Sequence, residues 1–197
     1  MSAHEHLEHA EHVEHASHSG NKKIALLISV LALFLAFSET LGKSAQTASI
    51  THNVASSNLW AFYQAKHIRG TALRIAADQL QILGDNISAP DVKTTISKTV
   101  DDWRKTADRY DDDPKTDEGR KQLAERARDE EHQRELSLAR YHQYELASAA
   151  FQIGIVLASA EVITGMAALG WLSGLIGIAG LGFMALGLWA PHALHLA

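Results

Sequence analysis

Residues 24–42 read IALLISVLALFLAFSETLG and are bracketed by Lys22-Lys23 on one side and Lys43 on the other. Nineteen residues at ~1.5 Å each extend ~28 Å as a helix, close to the ~30 Å hydrocarbon core of a bilayer. The stretch has the length and composition of a membrane span. A cleaved leader ending near Ala36-Phe37-Ser38 is the rival reading. It would carry 23 residues rich in Glu and His ahead of its apolar run, unlike the short basic head of a leader, so an anchored span over 22–42 is expected.

Towards the other end, residues 146–196 contain one acid, Glu161, and no Lys or Arg. Fifty-one residues are too many for one span and suit two with a turn between them. Gly170-Trp171-Leu172-Ser173-Gly174 is the expected turn, giving spans over 146–169 and 171–190. Trp171 and Trp189 then mark the ends of the last span, where indoles favour the interface, and Pro191 closes it. The hairpin is rich in small residues: Gly154 with Ala158, Gly170 with Gly174, then Gly177, Gly180, Gly182 and Gly187. Small residues let helix backbones approach in lipid, so packing within or between chains is expected.

Between these apolar ends the chain is charged. Mean hydropathy over the 197 residues is −0.10 and the net charge −5, but 16 of the 18 Lys and Arg and 17 of the 23 Asp and Glu fall in residues 43–145. That block is nearly neutral, with no basic patch of the kind nucleic-acid binding needs. Cysteine is absent, which excludes thiolate metal sites, disulfides and thiol catalysis. Lys22-Lys23 at the head of the first span favour an inside N-terminus and an outside, periplasmic, central block; Arg134 and Arg140 pull the other way, and the first span usually dominates.

The block reads as helix. Ala45, Ala48, His52, Ala55, Leu59, Phe62, Lys66, Arg69, Leu73, Ala76, Leu80 and Leu83 follow one another at alternating steps of three and four, the heptad pattern. Ile50, Val54, Ala61, Ile68, Ala72, Ile75 and Ile82 form a second stripe beside it, and a helix apolar on two stripes calls for more than one partner. Gly84 to Pro90 is a turn by composition, helix resumes near Asp91, and Asp111-Asp112-Asp113-Pro114 interrupts it. Thr116-Asp117-Glu118 offers a fresh helix start with acids in the first turn, from which helix runs into the second span.

Length restricts the path. The outgoing helix travels roughly 60 Å, and the chain must return to the same membrane face. The two returning segments together measure roughly 75 Å, so both descend in series and the Asp-Pro interruption is a kink. The weaker alternative breaks the first helix near Gly70 and folds the block into a compact bundle.

Few motifs suggest chemistry. In the tail, His6, His9, His12, His15 and His18 recur every third residue. Imidazoles at that spacing can bind Zn²⁺, Ni²⁺ or Cu²⁺, but a three-residue step slips ~60° per repeat on a helix, so no single four-ligand site results. A solvated acidic tail is the plainer reading. Glu161, expected well inside the second span, is a functional candidate because an ionisable group there is costly; it would carry protons, coordinate a cation, or rest hydrogen-bonded to Ser29, Ser38 or Gln152. Glu39, four residues from Lys43, belongs at an interface and at a different depth. The Asp111–Asp113 acids lack the EF-hand Gly and Glu. P-loop, nucleophile-elbow and zinc-protease motifs are absent.

The run Asn58-Leu59-Trp60-Ala61-Phe62-Tyr63-Gln64-Ala65-Lys66-His67-Ile68-Arg69 resembles the signature of an uncharacterised bacterial membrane-protein family catalogued as a domain of unknown function. The layout is also similar: a Glu-His-rich tail, one span, a charged helical block and a membrane hairpin. The resemblance implies an inner-membrane location and supplies no catalytic residues. Independently of it, Trp60, Phe62, Tyr63, Lys66 and Arg69 form an aromatic and basic cluster, suited to packing against the acidic returning helix or to a partner surface. The expectation is an all-α membrane protein of three spans with a helical-hairpin stalk over 43–145, non-enzymatic, homo-oligomeric and partner-binding. A metal- or proton-linked sensor or transporter using the tail and Glu161 is the alternative.

Overall fold

The computed structural model describes residues 22–193 with their side chains. Among the described residues all regular structure is helical, in the order α1 (Ala3–Asp85), α2 (Pro90–Asp111), α3 (Arg120–Thr164) and α4 (Ala167–Trp189). The helices α1, α3 and α4 are long and apolar enough to cross a membrane. The chain divides into two compact units, Ser49–Glu135 and the remainder, Met1–Ala48 with Leu136–Ala197.

In the Ser49–Glu135 unit, α1 continues through Gly70 without a break and ends at Asp85. There the Asn86 side-chain amide donates to the Ile82 carbonyl at 2.9 Å. Pro90 opens α2, at a position where its missing N–H is not needed. The partners of α1 then advance in step. Asp78 meets Arg104 (2.9 Å), Arg74 meets Asp108 (3.3 Å), Lys66 meets Glu118 (3.4 Å) and His52 meets Glu130 (2.7 Å). Both α2 and the first part of α3 therefore run antiparallel to α1 in series, and the Asp-Pro interruption is a kink.

Two local expectations are corrected. Helix α3 starts at Arg120, after Gly119, and not at Thr116-Asp117-Glu118. Asp117 has φ +59°, a left-handed conformation that cannot enter an α-helical first turn, and its N–H donates back to Asp113 O at 3.0 Å. Gly119 is required by space: a β-carbon there would lie 2.4 Å from Asp113 N and 2.9 Å from Asp112 Cα.

The second correction concerns the packed face of α1. Positions 52, 59, 66, 73 and 80 do face the returning helices, each buried or half-buried. Their heptad partners are Ser56, Tyr63, Gly70, Ala77 and Gly84, one residue later than the apolar stripe suggested. Ser56, Gly70, Ala77 and Gly84 are buried, whereas Phe62, Arg69 and Leu83 are exposed. The reason is close approach. Gly70 lies against Ala107 and Tyr110, and a β-carbon at Gly84 would fall 2.7 Å from Ile96 Cγ2. Facing this line are buried Val100, Ala107, Leu123 and Ala127. The second stripe is left open: Ile50, Val54, Ile68, Ile75 and Ile82 are all at least 53% exposed.

In the other unit, Leu31, Ala147 and Phe151 form a small core, with Phe34 stacked on Phe151 at 5.9 Å between centroids. The expected small-residue packing is found within the chain. A β-carbon at Gly177 would sit 2.7 Å from Leu31 Cδ2, one at Gly180 2.8 Å from Phe151 Cε1, and one at Gly187 2.7 Å from Tyr144 Cε1. Gly174 and Gly182 face outwards, with nothing within 4 Å. Two buried hydroxyls cross between helices to carbonyls, Ser38 to Tyr144 O (2.8 Å) and Ser173 to Gly154 O (2.7 Å), a satisfaction that an apolar surround makes necessary. Leu26, Leu33, Val156, Ile163, Leu175 and Ile178 point outwards, a surface suited to lipid.

The turn between the last two helices is at Gly165-Met166, not at residues 170–174, which lie inside α4. Gly165 has φ +72°, a conformation free of penalty only for glycine, and its N–H donates to Glu161 O at 2.8 Å. Residues 170 and 173 supply the close contacts of α4, so their small size serves packing.

Candidate functional site

The 58–69 run lies on α1 in the Ser49–Glu135 unit, and the helix sorts its residues by face. Trp60, Tyr63 and Lys66 turn inwards; His67 and Arg69 are exposed and Phe62 is at the rim, 38% exposed. Trp60 and Tyr63 meet edge to face, 5.4 Å apart at 76°, the arrangement favoured by ring quadrupoles. The Trp60 indole N–H donates to Glu131 Oε1 at 2.8 Å, and Ser56 donates to the same oxygen at 3.4 Å.

Lys66 is 8% exposed. Its ammonium lies 5.2 Å from the ring centres of both Phe62 and Tyr110 and 3.4 Å from Glu118 Oε2. Aromatic faces and a carboxylate together replace water around the buried cation. Arg69, exposed, makes no such contact among the described residues. The basic residue that reaches the returning helix is Arg74, one turn on, which pairs with Asp108 and Asp111.

Asp111 is the hub of the kink. It receives Arg74 on one oxygen and Arg120 Nη1 at 2.6 Å on the other, and Arg120 Nη2 donates to the Tyr63 hydroxyl at 3.0 Å while its guanidinium lies 4.9 Å from that ring's centre. Partial burial pushes the Asp111 carboxyl up, but hydrogen bonds from Arg74 and Arg120 outweigh it and hold the group below its ordinary range. Asp112 takes Lys121 at 2.7 Å and the Gln122 amide at 2.7 Å. Two of the acids that invited a calcium reading, Asp111 and Asp112, are thus matched with cations. Among the described residues no group of three or more His, Asp or Glu side chains is placed to hold a metal ion. The histidines His6, His9, His12, His15 and His18 lie outside the described residues.

An open groove of about 640 Å³ runs beside this hub, lined by Tyr63, Asp111, Arg120 and Arg128 among others. Three of its charged lining residues, Asp111, Arg120 and Lys121, are held in ion pairs, which suits a structural joint. The sequence marks Asp111 only as part of the acidic interruption, and it does not single out Arg74 or Arg120. Their signal was available in the charged residues that fall on the same three-four spacing as the seam.

In the other unit, Glu161 is in the last turn of α3, three residues from its end. It is not well inside the span, because the turn comes at Gly165. Nor does it bond Ser29, Ser38 or Gln152: the Ser29 hydroxyl donates to Ala25 O and that of Ser38 to Tyr144 O. Glu161 lines a groove with Lys23 and Trp171, whereas Glu39 lines another with Lys43 and Tyr144. The two acids lie in different sites, as expected.

A family model described as a domain of unknown function, DUF4337, matches residues 20–190. No curated protein and no solved structure matches the chain. The match takes in all three membrane-span candidates and the whole Ser49–Glu135 unit, and on it the chain belongs to the DUF4337 family.

Proposed function

We propose that this protein is a non-enzymatic, multi-pass membrane protein of the bacterial inner membrane. Three helices cross the bilayer, and the Ser49–Glu135 helical hairpin lies outside it as a self-associating scaffold. One observation carries the reading. Val54, Ala61, Ile68, Ile75 and Ile82 recur at seven-residue intervals, and all are exposed after the chain has packed its own helices. Four of the five are β-branched, and apolar residues repeating every seven positions make one of the two lines of a coiled-coil seam. Residues 49–77 contain no acid, and the positions flanking this stripe include Ser57, Gln64 and Thr71. Arg69 and Arg74 flank the stripe, Arg74 paired with Asp108 and Asp111 of its own chain, and an uncovered apolar stripe of this length is costly in water.

The exposed faces of α1, α3 and α4 support the membrane reading, since only 11%, 22% and 17% of their apolar windows are buried by protein. Lys22-Lys23 favour a cytoplasmic N-terminus and so a periplasmic hairpin. The test is light scattering of the full chain in mild detergent, beside a variant carrying Ile68→Glu and Ile75→Glu. An oligomer that dissociates in the variant, with helicity retained by circular dichroism, is expected. A monomeric parent chain, or an oligomer indifferent to both charges, would overturn the scaffold reading.

A further inference from the structure

The groove that holds Glu39 lies between α1 and α3, within the membrane unit, and measures about 300 Å³. Glu39, Lys43 and Gln46 follow one another at steps of four and three along α1, and Tyr141, Glu145 and Ser148 do the same along α3. One face of each helix therefore makes one wall. Between the walls the helices close tightly: the Ser38 hydroxyl donates to Tyr144 O at 2.8 Å, and a β-carbon at Gly42 would meet Tyr144 Cβ at 3.6 Å. The charges on the walls stay open. Glu39 and Lys43 are exposed and, among the described residues, have no ion-pair or hydrogen-bond partner. Glu145, its side chain 60% exposed, meets only His142 at 3.7 Å and the Tyr141 hydroxyl at 3.5 Å among the described residues, both on its own helix. Two accessible carboxylates and one accessible ammonium thus share a single cleft. The apolar run of α1 ends at Gly42 and that of α3 begins at Leu146, so the cleft stands at the level of lipid headgroups, where Tyr141 and Tyr144 also belong.

We propose that this cleft selects a phospholipid whose headgroup carries a primary ammonium, of the phosphatidylethanolamine type. The ammonium donates to the Glu39 and Glu145 carboxylates, and the phosphodiester pairs with Lys43. A primary ammonium brings three N–H donors to two acceptor groups. A quaternary ammonium has no N–H to give, and an anionic lipid with a glycerol headgroup has no cation and meets two like charges. Choice among headgroups therefore rests on the two acids, and general phospholipid retention on Lys43. This site rests on unit Met1–Ala48 with Leu136–Ala197 spanning a bilayer, and is independent of self-association.

The test is native mass spectrometry of the full chain, purified in detergent and exposed to equimolar phosphatidylethanolamine, phosphatidylcholine and phosphatidylglycerol. Retention of phosphatidylethanolamine about tenfold above phosphatidylcholine is expected, from charge-assisted hydrogen bonds that only the primary ammonium can make. The double variant Glu39→Gln with Glu145→Gln, at exposed positions, should bring the two to parity with helicity unchanged by circular dichroism. Lys43→Gln should weaken all three lipids alike, since each carries the phosphodiester. Glu161→Gln, in the other groove, should leave the preference intact. Equal retention of the two lipids by the parent chain, or a preference that survives the double variant, would overturn the site. Loss of the preference in Glu161→Gln would overturn its location, and indifference to Lys43→Gln the placing of the phosphate. Recovery of the chain in an aqueous fraction without detergent would instead overturn the membrane reading beneath it.

Discussion

The Trp60 indole donates to the Glu131 carboxylate across the α1–α3 contact at 2.8 Å, tying the 58–69 run to the returning helix. Since Glu131 is half-buried, losing that donor leaves a carboxylate with the weaker Ser56 bond alone. Trp60→Phe should therefore destabilise the chain by about 1–2 kcal/mol, with most of the ring packing preserved. Thermal unfolding in detergent, followed by circular dichroism, measures this. Pairing it with Glu131→Gln in a double-mutant cycle should show coupling between the two positions.

Asp111 predicts a pH dependence with a definite sign. Its carboxyl is held below the ordinary range in the folded chain, so the folded state favours the ionised form. That stabilisation is full above the unfolded pKa and is lost as pH falls through the lower folded one. Unfolding temperature should drop between pH 5 and pH 3, and Asp111→Asn should lose this part of the drop while being less stable at pH 7.

Gly119 is closed in by backbone atoms that cannot swing aside. Gly119→Ala should cost about 1–3 kcal/mol and loosen the α2–α3 joint, seen as faster amide hydrogen exchange over residues 112–122. Gly182→Ala, which meets nothing within 4 Å, should leave both stability and exchange unchanged.

Gly180 and Gly182 give a matched pair in the membrane unit. A leucine at 180 must displace the Phe151 ring, whose Cε1 lies 2.8 Å from the β-carbon position, and a leucine at 182 projects into open space. Gly180→Leu should lower the unfolding temperature in detergent through overpacking, by about 1–3 kcal/mol, with little change for Gly182→Leu.

Hydropathy, charge and turn composition are local properties, and whatever depends on them could be read from the sequence. Residues 24–42 identify the first apolar helix. Gly84 to Pro90 marks the reversal, because Pro90 can start a helix and cannot continue one. The kink at Asp111 to Pro114 followed from chain length alone. Three features depended instead on how helices meet. The seam of α1 runs through Ser56, Gly70, Ala77 and Gly84, because close approach selects small side chains over apolar ones, and counting apolar residues placed it one position early. The final turn is at Gly165, because the small residues at 170 and 173 are needed to pack α4, and glycine composition alone cannot distinguish a turn from a contact. Glu161 then falls in the last turn of α3 and shares a groove with Lys23, in an environment set by that turn. The exposed stripe of Ile68, Ile75 and Ile82 was legible as apolar from the start. That it remains uncovered was decided only by the tertiary structure, since a helix can offer two stripes while α2 and α3, lying in series, cover one.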